Sequence, residues 1–311
     1  YEILRPERMT LALELSDGRF FRQVVAMRPN DDANHPPVLL SLELPEGGIQ
    51  TFEARPGNAA AHQTGALAAI DYSDPLRGGV LKFMNGGVYG RRIDGLLVKN
   101  FDANVTPILQ FRYKGDPMSI VSLGYGAYSF TFSEVFNTHV RFGEGKAAPM
   151  DNTWRVWTGI PFDSAGQLPL AKRVSVPAAD IRIASRMERD QTGLHSVLLI
   201  DDIACGPAVG PNRPFAFKAD YADPDGVAEV SYAIIDGPAA FDNRPEEERQ
   251  KVKWLPAKNG DVVQPDLASI PDGFHHLLVR ARDARGLWSA PGDLPFICDR
   301  IPPKVTAATA A

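Results

Sequence analysis

The chain has 311 residues and a net charge of -5, from 33 Lys and Arg against 38 Asp and Glu. At roughly 100–200 residues per domain this is enough for two domains, and 44% hydrophobic with 23% charged residues is ordinary globular composition. No basic block or Arg/Lys stripe offers itself to nucleic acid, and no run of 18 apolar residues could span a membrane.

The first 61 residues read as a partial β segment and linker. DGRFFRQVVA (17–26) sets Asp17, Gly18, Val24 and Ala26 at the offsets of Asp272, Gly273, Val279 and Ala281 in DGFHHLLVRA. A Pro-Pro follows each copy, Pro36-Pro37 and Pro302-Pro303. This faint repeat predicts that the chain enters late in one sandwich and completes a second of the same kind. A partial sandwich leaves an open edge that needs a partner.

Between 62 and 207, Pro and Gly punctuate short apolar runs. These include VLKFM (80–84), LLVKNF (96–101), PILQFRYK (107–114), SIVSLGYGAYSFTF (119–132), TWRVWTGI (153–160) and SVLLIDDI (196–203). Short strands at this spacing predict an all-β sandwich. VPAADIRIASRM (176–187) reads as a short helix or, through the alternation in DIRIAS, as a strand.

Residues 208–304 alternate apolar and polar with period two, as a half-buried antiparallel sheet requires. DPDG (223–226) and PDG (271–273) supply turns, with Pro presetting φ and Gly accepting positive φ. PEEERQKVKW (245–254) is either one helical turn or a charged loop, and the loop is preferred. Residues 305–311 form a tail. The two cysteines, Cys205 and Cys298, form one disulfide or none.

The segment that asks for an explanation is HSVLLIDDIACGP (195–207), where a buried strand runs into two carboxylates. Side chains alternate faces along a strand, so Asp201 and Asp202 are expected to point opposite ways. An unpaired buried charge is costly, so the inward one needs a partner. Either the pair helps hold a cation, or it caps backbone amides or pairs with Arg77, Arg91 or Arg92.

Flat aromatics flanked by polar groups suit a sugar. The candidates are Arg112, Tyr113, Tyr125, Tyr128, Trp154 and Trp157, and the same spacing is what a sandwich core demands. Arg112 and Tyr113 face opposite ways, so at most one lines a given surface.

Residues 62–207 resemble the β-jelly-rolls of carbohydrate-binding modules of secreted proteins. The resemblance is carried by IDYSDPLRGGVLKF (70–83), FDANVTPILQFRYKGDP (101–117), NTWRVWTGIPFD (152–163) and SVLLIDDIACGP (196–207). Residues 208–304 resemble bacterial immunoglobulin-like domains. That match rests on Asp225-Gly226-Val227 before VSYAI, Asp272-Gly273-Phe274-His275, LLVRARD, Gly286 and CDRIPP. The resemblance implies a structural calcium held by Asp71, Asp74, Asp201 and Asp202. It implies glycan contact at Arg112, Tyr113, Tyr125, Tyr128 and Trp157, and a bacterial extracellular or cell-surface location.

Catalytic signatures are missing from the sequence. The closest acidic groups, DYSD and IDD, fall at strand ends rather than at alternate positions of one strand, where a retaining glycosidase places them. No phosphate loop, Gly-x-Ser-x-Gly elbow or HExxH is present. His275 and His276 are adjacent in a strand and point apart. The sequence therefore predicts a non-catalytic module that binds a polysaccharide or cell-surface glycan. The alternatives are a fibre or surface-layer subunit that assembles with copies of itself by strand addition, and an accessory region of a polysaccharide-degrading enzyme.

Overall fold

Val, Ile, Leu and aromatic residues at alternate positions between Pro and Gly stops favour extended chain, and the chain folds as strands almost throughout. The computed structural model describes residues 8–14, 20–26, 35–51, 68–71, 79–86, 92–102, 105–116, 119–125, 128–131, 151–159, 179–187, 195–210 and 215–300.

The strands of the first half are β1 (Arg8–Glu14), β2 (Phe20–Ala26), β3 (Val38–Glu43), β4 (Gly48–Gln50), β5 (Ala68–Asp71), β6 (Val80–Gly86), β7 (Arg92–Phe101), β8 (Ile108–Gly115), β9 (Ser119–Tyr125) and β10 (Tyr128–Thr131). Then come β11 (Arg155–Gly159), β12 (Ala179–Met187), β13 (His195–Gly206), β14 (Ala208–Val209), β15 (Phe217–Ala222) and β16 (Val227–Asp236). The last are β17 (Leu255–Ala257), β18 (Val262–Val263), β19 (Gly273–Asp283) and β20 (Gly292–Cys298). A 3-10 turn covers Phe241–Asn243 and a short helix, α1, covers Glu246–Arg249. Residues 179–187 are strand, not helix.

The expected charged loop at 245–254 contains α1 instead. Pro245 stands at its N-cap, and its carbonyl accepts the Arg249 N–H at 3.1 Å. Three glutamates fill the first turn and Arg249 the last, the polarity that suits a helix dipole.

β13 organises the molecule. It is 12 residues long. Its first half pairs with β6 and its second half with β4, while β8 follows its other edge. The resulting nine-stranded sheet runs β11-β8-β13-β4-β3-β15-β18, with β6 and β5 attached through β13. It crosses both positions, 61/62 and 207/208, at which the sequence reading divides the chain. β1 and β2 pair only with each other among the described strands.

Two cores use this sheet. In the first sandwich, the four-stranded sheet β10-β9-β12-β7 lies over β6 and β13. Leu81, Phe83, Leu109, Phe111, Tyr113, Trp157, Leu198 and Ile200 are buried there. In the second, the five-stranded sheet β14-β20-β19-β16-β17 packs on β3, β4 and β15. Leu39, Leu42 and Ile49 share one core with Phe217, Tyr221, Val279 and Phe296. The hairpin β3–β4 therefore belongs to the second sandwich, although it precedes the first in sequence.

Cys205 and Cys298 are both buried and free. Burial pushes the Cys205 thiol up to about 12.

Candidate functional site

β8 is buried on both faces because it serves two interfaces. Leu109, Phe111 and Tyr113 turn into the first core. Ile108, Gln110 and Arg112 turn toward the second sandwich. Gln110 Nε2 donates to the Asp293 carbonyl at 2.6 Å, and Gln110 Oε1 accepts from Thr158 at 2.7 Å.

Arg112 is the centre of this face. Only 3% of it is exposed. Its Nε donates to Asp202 at 2.7 Å, its Nη1 to Asp242, and its Nη2 to the Pro291 carbonyl at 2.7 Å. One guanidinium thus ties β8 to β13, to the 3-10 turn and to the strand entry before β20. Burial opposes its charge, but Asp202, Asp242 and Asp293 outweigh that and hold its pKa above the ordinary value.

The two aspartates do not follow the period-two expectation. Asp201 is in register with Arg112, yet the next aligned pair is Ala204 with Gln110, so β13 carries one extra residue. Asp202 absorbs it at φ 47°. The bulge turns both carboxylates to one side, where they line a notch of about 30 Å³ with Thr51 and Ser289. Asp201 Oδ1 accepts the Asp202 N–H at 2.9 Å. The cation that answers Asp202 is Arg112; Arg77, Arg91 and the Arg92 side chain lie outside the described residues.

The Asp293 carboxylate continues the network. Oδ2 accepts the Phe241 N–H at 2.6 Å, and Oδ1 lies 2.6 Å from Nδ1 of the fully buried His276. Burial alone would raise the Asp293 pKa; His276, the Phe241 amide and Arg112 override it and lower the pKa. His276 Nε2 is buried without a hydrogen-bond partner.

The sequence candidates distribute as follows. Arg112, Tyr113 and Trp157 are 3%, 2% and 5% exposed, so none offers a surface to a sugar. Phe111 packs on Trp157 with ring centres 4.8 Å apart and meets Tyr113 edge-on at 6.4 Å. Trp154 is partly exposed. Tyr125 and Tyr128 are cross-strand partners on the β9–β10 hairpin.

Two of the expected calcium ligands are engaged by cations. Asp71 is held by Lys82 at 2.7 Å and Asp202 by Arg112, each a carboxylate already balanced by a cation. Asp74 lies outside the described residues. Among the described residues no three His, Cys, Asp or Glu side chains group as metal ligands.

Sequence reading missed Asp242, Asp293 and His276 as partners of this face. The available signal was polar residues at outward positions of otherwise apolar strands, such as Gln110 and Arg112 within ILQFRYK.

Fold and site together define an all-β protein of two sandwiches that share a sheet. No family model matches the chain, and no curated protein matches it. Among solved structures it is similar to the glycoside hydrolase domain of Endo-D from Streptococcus pneumoniae R6, at 13% identity and TM-score 0.31, over 76% of this chain and 37% of that one. It is similar to SGBP-B from a complex xyloglucan utilization locus in Bacteroides uniformis, at 8% identity and TM-score 0.29, over 64% of this chain and 79% of that one. A structure solved with xylogluco-oligosaccharide matches at 8% identity and TM-score 0.31, over 64% of this chain and 62% of that one. At such TM-scores these likenesses assign neither a ligand nor a reaction to this chain. No helix among the described residues is long and apolar enough to cross a membrane.

Proposed function

We propose that the chain is a non-catalytic module of a bacterial surface or secreted protein, in which a jelly-roll-like sandwich binds glycan and an immunoglobulin-like sandwich carries it rigidly. The observation that carries this reading is the division of labour between the two sheets of the first sandwich. The β11-β8-β13 sheet is committed on its far face to the second sandwich through Arg112 and Gln110. The β10-β9-β12-β7 sheet pairs with no strand of the second sandwich, and its hairpin places Tyr125 opposite Tyr128. With Tyr113 and Trp157 inside, these two positions and the partly exposed Trp154 are the remaining aromatic candidates for a sugar platform, and only the tyrosines lie on the free sheet.

The test is affinity electrophoresis of the whole chain through gels containing neutral polysaccharides, xyloglucan among them, with the Tyr125→Ala/Tyr128→Ala double variant alongside. Retardation of the wild type and its loss in a variant with unchanged circular dichroism supports the proposal. Free migration of folded wild type in every gel, or equal retardation of the variant, removes it.

A further inference from the structure

The outer face of the five-stranded sheet carries a second feature, separate from the Tyr125/Tyr128 platform. Arg280 on β19 is clamped between two indoles. Its guanidinium carbon lies 3.9 Å from the Trp254 ring centre and 4.0 Å from that of Trp288. Both tryptophans and Arg280 are partly exposed. Leu255, beside Trp254, and Leu287, beside Trp288, are 50% and 41% exposed.

The neighbouring arginines have counter-charges. Arg282 pairs with Glu229 at 2.7 Å and Arg285 with Asp225 at 3.3 Å. Arg280 has no carboxylate within ion-pair distance among the described residues, and its Nε is buried without a partner. Burial pulls its pKa down against the pull of Glu229, as expected of a cation short of counter-charge. A guanidinium stacked by its faces keeps its N–H groups in plane, and with Nε buried the edge left for a carboxylate is the one formed by Nη1 and Nη2. Arg282 also approaches the Trp288 ring at 5.4 Å and Trp254 meets Phe241 edge-on, so the surface for the C–H face of a pyranose is the partly exposed remainder of each indole.

We infer that Trp254, Arg280 and Trp288 form a binding site for a uronate-bearing glycan, with the sugar carboxylate on the Arg280 edge and a pyranose ring against an indole. The charge requirement distinguishes this site from a neutral-sugar platform. The ring requirement distinguishes it from a site for acidic peptides.

The experiment is calorimetric titration of the whole chain with an oligogalacturonide, with its methyl ester, and with polyglutamate of similar charge. The acid form is expected to bind, more weakly as salt rises, and the ester and polyglutamate to bind at least about tenfold more weakly, the scale of losing a charge-assisted hydrogen-bond pair. Arg280→Gln should abolish binding of the acid form. Arg280→Lys, which keeps the charge but loses the planar fork, should weaken it while preserving the fold by circular dichroism. Retardation by neutral polysaccharides should not change in either variant, which separates this site from the Tyr125/Tyr128 proposal. Absence of oligogalacturonide binding by the folded wild type, equal binding of polyglutamate, or unchanged binding in Arg280→Lys would overturn the inference.

Discussion

Arg112 and Asp202 stand 90 positions apart in sequence, and their side chains meet at 2.7 Å between the paired strands β8 and β13. The bulge that gives Asp202 its positive φ is what brings its carboxylate to the guanidinium. Asp202 thus holds in place a guanidinium whose other donors, to Asp242 and the Pro291 carbonyl, fasten one sandwich to the other.

Removing the cation leaves carboxylates facing one another in a nearly dry seam. Arg112→Met is expected to cost about 3–5 kcal/mol, the range for stripping one partner from a buried ion pair. The Asp202 side chain is 20% exposed and that of Asp242 33%. Asp202→Ala should therefore destabilise more than Asp242→Ala, whose charge is better solvated. Urea unfolding of the three variants checks the order, and a larger loss from Asp242→Ala would contradict it.

Backbone approaches closely where β13 crosses β20. A Cβ at Gly206 would stand 2.0 Å from the Pro295 carbonyl oxygen, with Ile108 at 3.2 Å. Neither neighbour can rotate away, because one is backbone and the other is packed. Gly206→Ala is expected to cost at least about 1–3 kcal/mol, the usual penalty for overpacking, read as a fall in the urea midpoint.

Acid should release the Asp293 network. The folded Asp293 pKa lies below its ordinary 3.8. Its contribution is therefore complete above the unfolded value and is lost as pH falls through the folded one. Stability measured by urea between pH 6 and 2 should fall most steeply below pH 3.8. Asp293→Asn should flatten that limb, and an unchanged limb would show that other carboxylates dominate it.

Calcium should not matter to the fold. With Asp71 on Lys82 and Asp202 on Arg112, thermal unfolding in calcium and in excess chelator is expected to superimpose. A rise of several degrees in calcium, the signature of a ligand that binds only the native state, would contradict this and point back to a metal held by Asp71, Asp74, Asp201 and Asp202.

The second sandwich cannot be cut out at its sequence boundary. A fragment of residues 208–304 lacks Leu39, Leu42 and Ile49, three buried members of its core. It should bind a hydrophobic dye and melt without a sharp transition, whereas a chain beginning before Val38 should melt cooperatively. A sharp transition in the short fragment would show that β15 and the five-stranded sheet suffice.

Strand identity was legible because it is local. ILQFRYK and LLVRARD alternate, and the opposite facing of Arg112 and Tyr113 follows from that alone. The pairing of β3 with β15 was not legible, because it joins residues nearly two hundred positions apart and no local signal marks it. The bulge was hidden for a different reason. It sits on an aspartate instead of a glycine, and a period-two reading holds only until one residue is inserted. The same alternation that nominated Tyr113 and Trp157 as a sugar surface serves equally for a core, and only the covering sheet decides between them. Arg280 lay in plain view within VRARD with Trp288 close behind it, but Trp254 comes from a separate segment.

The position of the β3–β4 hairpin also bears on how the molecule would respond to pulling. Tension applied outside Val38 and Cys298 enters through β3 and leaves through β20, both seated in one hydrophobic core. The force closes its path across that core and bypasses the roughly 150 residues looped out between β4 and the second half of β13. The looped-out sandwich would feel no stretch until β3 is torn from β15. Load carried through the second sandwich then leaves the first one undistorted.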